Sequence, residues 1–203
     1  MSLKSTAIRD DLFEYLIENF SGENDILRQI KIDAIEKGIP QISISPEQVK
    51  FLQLLIKSIN AKTVLEIGTL YGYSAIGMAM ALPEDGKVMT FELEPDRVEL
   101  SRKNIEKAGL SHKIEVIEGR AIELLPNLLE SIDLDFVFLD ADKHNYYKYV
   151  KMLDERLRVG GMITADNAFA FGYVLDSAPE RDPNEVKSIK NFNEKFLTMR
   201  TIL

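Results

Sequence analysis

A chain of 203 residues, 45% of them hydrophobic, is long enough for one compact core. It contains no cysteine, which excludes structural disulfides and thiol catalysis. Its 25 basic and 33 acidic residues give a formal charge of −8, which disfavours unspecific attraction to nucleic-acid phosphates or anionic membranes.

Arg9, Asp10, Asp11, Glu14 and Glu18 interrupt any signal-peptide core, and no apolar run approaches the roughly 20 residues that span a bilayer. A cytoplasmic protein is expected. Residues 5–20 place Ile8, Leu12, Leu16 and Phe20 at i, i+4 spacing after Ser5, the pattern of an amphipathic helix. A polar stretch from Ser21 to Asp25 follows, then a short helix to Gly38. Ser45-Pro46-Glu47-Gln48 reads as a capping box with proline at the first helical position, backed by a stripe of Val49, Leu52, Leu55, Ile56 and Ile59.

From residue 62 onward strands alternate with helices, which predicts an α/β, doubly wound, mostly parallel sheet behind the N-terminal helices. Strands are expected at 63–67, 88–92, 114–118, 134–139 and 161–165, with helices at 73–81, 95–108, 121–130 and 145–157. Gly109 is a helix stop. Asp176 to Asn184 reads as a surface loop, followed by a helix over 184–195 and a last strand over 196–203. The expected organisation is one domain, with helices over 1–60 and a Rossmann-like core over 61–203.

Two places in this pattern carry chemistry. Leu65-Glu66-Ile67-Gly68 runs through Thr69 to Gly72-Tyr73-Ser74, a strand, glycine turn and helix start whose free amides face a ligand. Its E-x-G-x-x-x-G spacing is not the G-x-G-x-x-G dinucleotide fingerprint, which argues against an NAD-dependent dehydrogenase. Glu92, at the end of the second strand, is an acid suited to the hydroxyls of a ribose. Glycine turn and acid together indicate an adenosine-containing ligand without a pyrophosphate.

The second place is Phe136-Val137-Phe138-Leu139-Asp140-Ala141-Asp142-Lys143, echoed by Met162-Ile163-Thr164-Ala165-Asp166-Asn167. Both are apolar runs that stop on carboxylates or an amide, where open α/β sheets bind ligands. Neighbouring strands lie roughly 4.8 Å apart, so Asp140, Asp166 and Asn167 can share one hard cation such as Mg²⁺. With only His112 and His144 and no cysteine, the usual zinc ligand sets are unavailable to the chain. Tyr146, Tyr147 and Tyr149, together with Phe169, Phe171 and Tyr173, are candidates to wall an aromatic acceptor, with loop and core packing as the alternative.

These motifs resemble the class I S-adenosylmethionine-dependent, cation-dependent O-methyltransferases, the group of catechol and caffeoyl-CoA O-methyltransferases and their bacterial relatives. The likeness runs from about Ile44 to Gly172 and includes Leu82 to Lys87, Lys107 to Leu110 and Gly160-Gly161. It implies cofactor contacts at Ile44, Glu66, Gly68, Thr69, Ser74, Glu92, Ala121 and Asp140, metal ligation by Asp140, Asp166 and Asn167, and Lys143 as general base, with Asp140 beside it. It also implies a homodimer acting on a small aromatic diol. Three departures stand out: Ala168-Phe169-Ala170 replaces a common tryptophan, Val49 stands where relatives often carry glycine, and the family pattern has a further strand and hairpin beyond the position of Leu203.

The expected reaction is metal-assisted methylation of a catechol-like hydroxyl. Two alternatives compete with it. Methylation of a hydroxyuridine in tRNA needs a basic surface, for which Lys187, Lys190, Lys195 and Arg200 are the candidates against the overall charge. A non-catalytic S-adenosylmethionine-binding module would keep the cofactor site and lose turnover.

Overall fold

A computed structural model describes residues 8–176, 180 and 182–196. Five strands form one sheet in the order β3-β2-β1-β4-β5, every neighbouring pair parallel. They are β1 (Thr63–Ile67), β2 (Lys87–Glu92), β3 (Ile114–Glu118), β4 (Leu134–Leu139) and β5 (Leu157–Ala165). The helices are α1 (Asp10–Leu16), α2 (Asp25–Glu36), α3 (Pro46–Ser58), α4 (Tyr73–Ala79), α5 (Pro95–Lys107), α6 (Ala121–Leu129), α7 (Tyr146–Asp154) and α8 (Pro183–Phe196).

Strand side chains alternate between two cores, which is why the sheet must be covered on both faces. Val64, Val88, Phe136 and Phe138 pack against α2 to α5, while Leu65, Ile67, Val137 and Leu139 pack against α6 to α8. The helix α3 begins as its sequence requires, with Gln48 Oε1 accepting from the Ser45 N–H at 2.9 Å. Helices α3 and α4 approach closely. A Cβ on Gly77 would lie 2.4 Å from Val49, so the valine that departs from the family pattern sits directly on a helix without a side chain at that point. No helix among the described residues is long and apolar enough to cross a membrane.

Several expected boundaries shift. The N-terminal helix ends at Leu16 and continues as a wider turn, Ile17–Ser21, closed by Gly22 at φ +58°. Ile8 and Phe20 are 65% and 60% exposed, so they do not belong to a buried stripe; Ser21 turns inward instead, its hydroxyl donating to the Ile17 carbonyl at 2.6 Å. Strand β5 starts at Leu157, earlier than expected, because the chain bulges between the Leu134–Leu157 and Phe136–Met162 pairs. Gly160, at φ +80°, and an Arg158–Asp135 ion pair at 2.5 Å accommodate the bulge. Helices α4 and α7 end before the expected positions, and Lys143–Asn145 forms a separate 3₁₀ turn ahead of α7. Of the expected final strand, Phe196 is the last residue of α8 and the remainder lies outside the described residues, as do Ser5 and part of the Asp176 to Asn184 loop.

Candidate active site

Parallel strands deliver their C-terminal ends to one edge, and here β1, β4 and β5 finish there together. Leu139 pairs with Ala165, and the next residues continue the ladder: Asp140 N–H donates to the Ile67 carbonyl and Asp166 N–H to the Leu139 carbonyl, both at 2.9 Å. Asn167 turns the chain at φ +58°. All three side chains line one cavity of about 690 Å³, a volume typical of a cofactor or substrate site.

Gly68 makes this convergence possible. Its φ is +106°, and a Cβ there would lie 2.1 Å from the Asp140 carbonyl oxygen, so β1 and β4 can end this close only without a side chain. Beyond it the turn is pinned on both sides. The Glu92 carboxylate accepts from Leu70 N–H at 2.7 Å and from Leu93 and Glu94 N–H at 2.9 and 3.0 Å. The buried Asn104 amide donates to the Tyr71 carbonyl at 2.9 Å.

Ile44, Gly68, Thr69, Ser74, Glu92, Ala121 and Asp140, named from sequence, all line the cavity. Glu66 does not. It is fully buried behind the wall, where Thr90 donates to its carboxyl at 2.6 Å and Thr69 and Thr90 hydroxyls meet at 2.5 Å. Burial pushes the Glu66 carboxyl up to about 8, against the opposing influence of the Ser74 and Thr90 hydroxyls. Its Oε1 has no partner within hydrogen-bond geometry, although Ser74 lies near enough to favour the ionised form.

Lys143 Nζ donates to Asp140 Oδ1 at 2.9 Å and to the Tyr146 hydroxyl at 2.8 Å, and the Tyr146 hydroxyl donates in turn to the Leu139 carbonyl at 2.9 Å. Burial raises the Asp140 carboxyl above the ordinary carboxylate range; Lys143 opposes that shift and the like charge of Asp166 adds to it. Two carboxylates and an amide oxygen are hard donors, which fits Mg²⁺ or a similar ion. No group of three His, Cys, Asp or Glu side chains among the described residues forms a metal cluster. A cation here therefore needs the Asn167 amide and oxygens from solvent or substrate to fill its shell.

The aromatic candidates divide. Tyr146 and Tyr149 are buried, and Tyr149 lines the cavity with its hydroxyl donating to Asp142 at 2.8 Å. Tyr147 instead stacks under Lys195, 4.3 Å from the ring centroid. Phe171 lines the cavity, whereas Phe169 is 76% exposed. His144 lies at the surface with Ser188, 3.0 Å away, and His112 lies near Glu84. Of the possible basic strip, Lys190 donates to the Asp176 carbonyl, Lys195 covers Tyr147, and Arg200 is outside the described residues.

The strap Gln41 to Ile44, with Arg97 and Arg120, also lines the cavity and was not singled out from sequence beyond Ile44. The available signal was the alternation of Ile42 and Ile44 just before a helix cap, with Ile42 left 66% exposed. Ser43 and Tyr71 hydroxyls, 2.7 Å apart, tie the strap to the glycine turn.

A parallel sheet whose first strand passes through a glycine turn above an acid on the second strand is the architecture of class I methyltransferases. A family model described as O-methyltransferase matches residues 17–201. A catechol O-methyltransferase of Niastella koreensis is 41% identical over 171 residues, 83% of this chain and 77% of that protein. Caffeoyl-CoA O-methyltransferase 3 of Nicotiana tabacum is 38% identical over 178 residues, 85% of this chain and 74% of that protein. An O-methyltransferase from Bacillus cereus, solved in complex with SAH, superposes with a TM-score of 0.85 at 32% identity, covering 92% of this chain and 85% of that one. The chain belongs to the O-methyltransferase family, whose class I members are S-adenosylmethionine-dependent enzymes.

Proposed function

We propose that the protein moves a methyl group from S-adenosylmethionine to one hydroxyl of a catechol-like small molecule chelated by a divalent cation, Mg²⁺ in the first instance. The observation that carries this reading is the in-register ending of β4 and β5, which gathers Asp140, Asp166 and Asn167 on one cavity wall with Lys143 bonded to Asp140. The names of the catechol and caffeoyl-CoA relatives support the same acceptor chemistry.

S-adenosylmethionine supplies an electrophilic methyl on a sulfonium. Ile44, Thr69, Ser74 and Ala121 would hold it, and Glu92 keeps lone pairs for its ribose hydroxyls beyond the three amides that it already accepts. A divalent cation, which Asp140, Asp166 and Asn167 would hold, would supply Lewis acidity to the acceptor hydroxyl. Lys143, in the neutral form that an adjacent cation would favour, would take the proton of the attacking hydroxyl, while the oxygen would replace sulfur on the methyl carbon and neutral S-adenosylhomocysteine would leave. The acceptor end is walled by Phe171, with Tyr149 beyond Asp142. Self-association through the N-terminal helices belongs to the same reading, because Ile8, Tyr15 and Phe20 expose apolar surface there.

The test is mass spectrometry of methyl groups transferred to catechols, acyl-CoA phenols and tRNA, each with and without Mg²⁺. Cation-dependent methylation of the diols is expected. Transfer that survives both EDTA and Asp140→Ala would overturn the cation's role, and methylation of tRNA alone would replace the acceptor.

A further inference from the structure

The polar stretch ahead of α2 holds side chains in unlike surroundings. Asp25 stands fully in solvent, whereas the Glu23 side chain, two residues earlier, is only 9% exposed. A carboxylate this buried needs donors, and Glu23 has them. The Tyr73 hydroxyl donates to its Oε1 at 2.5 Å, Lys31 Nζ donates to the same oxygen at 3.2 Å, and Arg28 Nε lies 3.9 Å from Oε2. The Lys31 ammonium also sits over the Tyr73 ring, 5.5 Å from its centroid. Burial, together with the bond to Glu23, pushes the Tyr73 hydroxyl far above its ordinary value, so it stays protonated and keeps donating.

Tyr73 ties this cluster to the donor end of the cavity. Its ring is buried, lines the main cavity and opens α4 between Gly72 and Ser74. Two residues earlier, the Tyr71 hydroxyl meets Ser43 of the strap. Glu23 and Ser43 flank α2, so one segment grips the glycine turn from both of its ends through alternate tyrosines. Within α2, Asp33 accepts from Lys107 of α5 at 2.8 Å, which fixes α2 to the helix whose Asn104 holds the Tyr71 carbonyl. The helix α2 is thus a brace on the turn.

We propose that Glu23 is a positioning residue for S-adenosylmethionine: by holding the Tyr73 hydroxyl it keeps the Gly72-Tyr73-Ser74 stretch where the donor needs it, without lining the cavity itself. This role rests on the proposed placement of the donor beside Thr69 and Ser74, and not on the acceptor or the cation.

Calorimetric titration with S-adenosylhomocysteine reads the effect without turnover. Glu23→Ala should weaken binding at least about tenfold, the scale of a hydrogen bond to a charged group. Glu23→Gln keeps an oxygen for the Tyr73 hydroxyl and should bind within about threefold of the wild type. Tyr73→Phe retains the ring and should weaken binding at least about fivefold. Glu23→Ala combined with Tyr73→Phe should fall no more than about twofold below the poorer single variant, because both remove one bond. Asn24→Ala is the control: it removes the cap of α2 and the contact with Met80 Sδ, so it should lose stability in urea yet bind within about twofold of the wild type.

Unchanged binding in Glu23→Ala, a loss in Glu23→Gln as large as in Glu23→Ala, multiplied losses in the combined variant, or an equal loss in Asn24→Ala would each overturn the role. Unchanged binding in Ser74→Ala would instead fail the placement of the donor, while the Glu23 variants would still decide whether this carboxylate acts on the site.

Discussion

Gly68→Ala is the sharpest test of how the site is assembled. The new Cβ would lie 2.1 Å from the Asp140 carbonyl oxygen, 2.8 Å from its carbon and 3.3 Å from Ala141 N, all backbone atoms that cannot rotate away. Non-bonded heavy atoms settle near 3.5 Å, so β1 and β4 must part by about 1 Å or more. Overpacking of this kind costs about 1–3 kcal/mol, and an alanine at φ +106° adds about 1–2 kcal/mol of backbone strain, giving a total of about 2–5 kcal/mol. The displaced atoms belong to Asp140, and a misplacement of about 1 Å costs around a hundredfold in rate. Gly109→Ala is the control, with φ +69° and nothing within 4 Å of its Cβ, so only the strain remains, about 1–2 kcal/mol. Urea unfolding and methyl transfer to a catechol measure both effects. If Gly68→Ala unfolded within about 1 kcal/mol of Gly109→Ala and kept activity within about threefold, the close approach of the two strand ends would be refuted.

Three further outcomes follow from the same geometry. Glu66 is raised from 4.5 to about 8 in the fold, so its contribution is fully present below its unfolded value and is lost as pH rises toward 8. Glu66→Gln should therefore remove up to ~1.4 kcal/mol per pH unit from the slope of stability across that window, measured by denaturant melts at several pH values; an unchanged slope would contradict it. Asp135 bridges Lys62 N–H, Thr63 N–H and Arg158 at 2.6, 2.8 and 2.5 Å. Burial alone would raise its carboxyl, but those donors hold it below the ordinary value, so its contribution is present above that value and is lost as pH falls through the lowered one. Asp135→Ala should cost about 2–4 kcal/mol in urea melts at neutral pH, and a loss below about 1 kcal/mol would show that the bridge contributes little. Lys143→Met should lower kcat by about 10²–10³ with the fold intact by circular dichroism, and kcat within about threefold of wild type would remove Lys143 from the proton transfer.

The sheet was legible because strand-length apolar runs and glycine or proline stops coincide. The spans of β1, β3 and β4 agree with the pattern, and the Ser45 cap forms as its residues require. The bulge in β5 was not legible, since it depends on Asp135 capturing Arg158 across the strand pair, a contact invisible to local periodicity. The Ile8 to Phe20 stripe misled because i, i+4 spacing specifies a helical face without saying whether the fold supplies anything to cover it. At the site, cavity-lining residues at strand ends were readable from their chemistry. The burial of Glu66 was not, because its place on β1 puts its side chain beneath the wall and against Thr90, which only the strand register reveals. The strap was missed beyond Ile44 because its role comes from long-range contact with Tyr71.

Binding of Mn²⁺, followed by electron paramagnetic resonance in the presence of S-adenosylhomocysteine, addresses the proposed cation site most directly. One ion per chain is expected for the wild type, displaced by Mg²⁺ and lost in Asp166→Ala and Asp140→Asn while both variants stay folded. Equal Mn²⁺ binding by the wild type and both variants would contradict the assignment of Asp140, Asp166 and Asn167, as would its absence from all three.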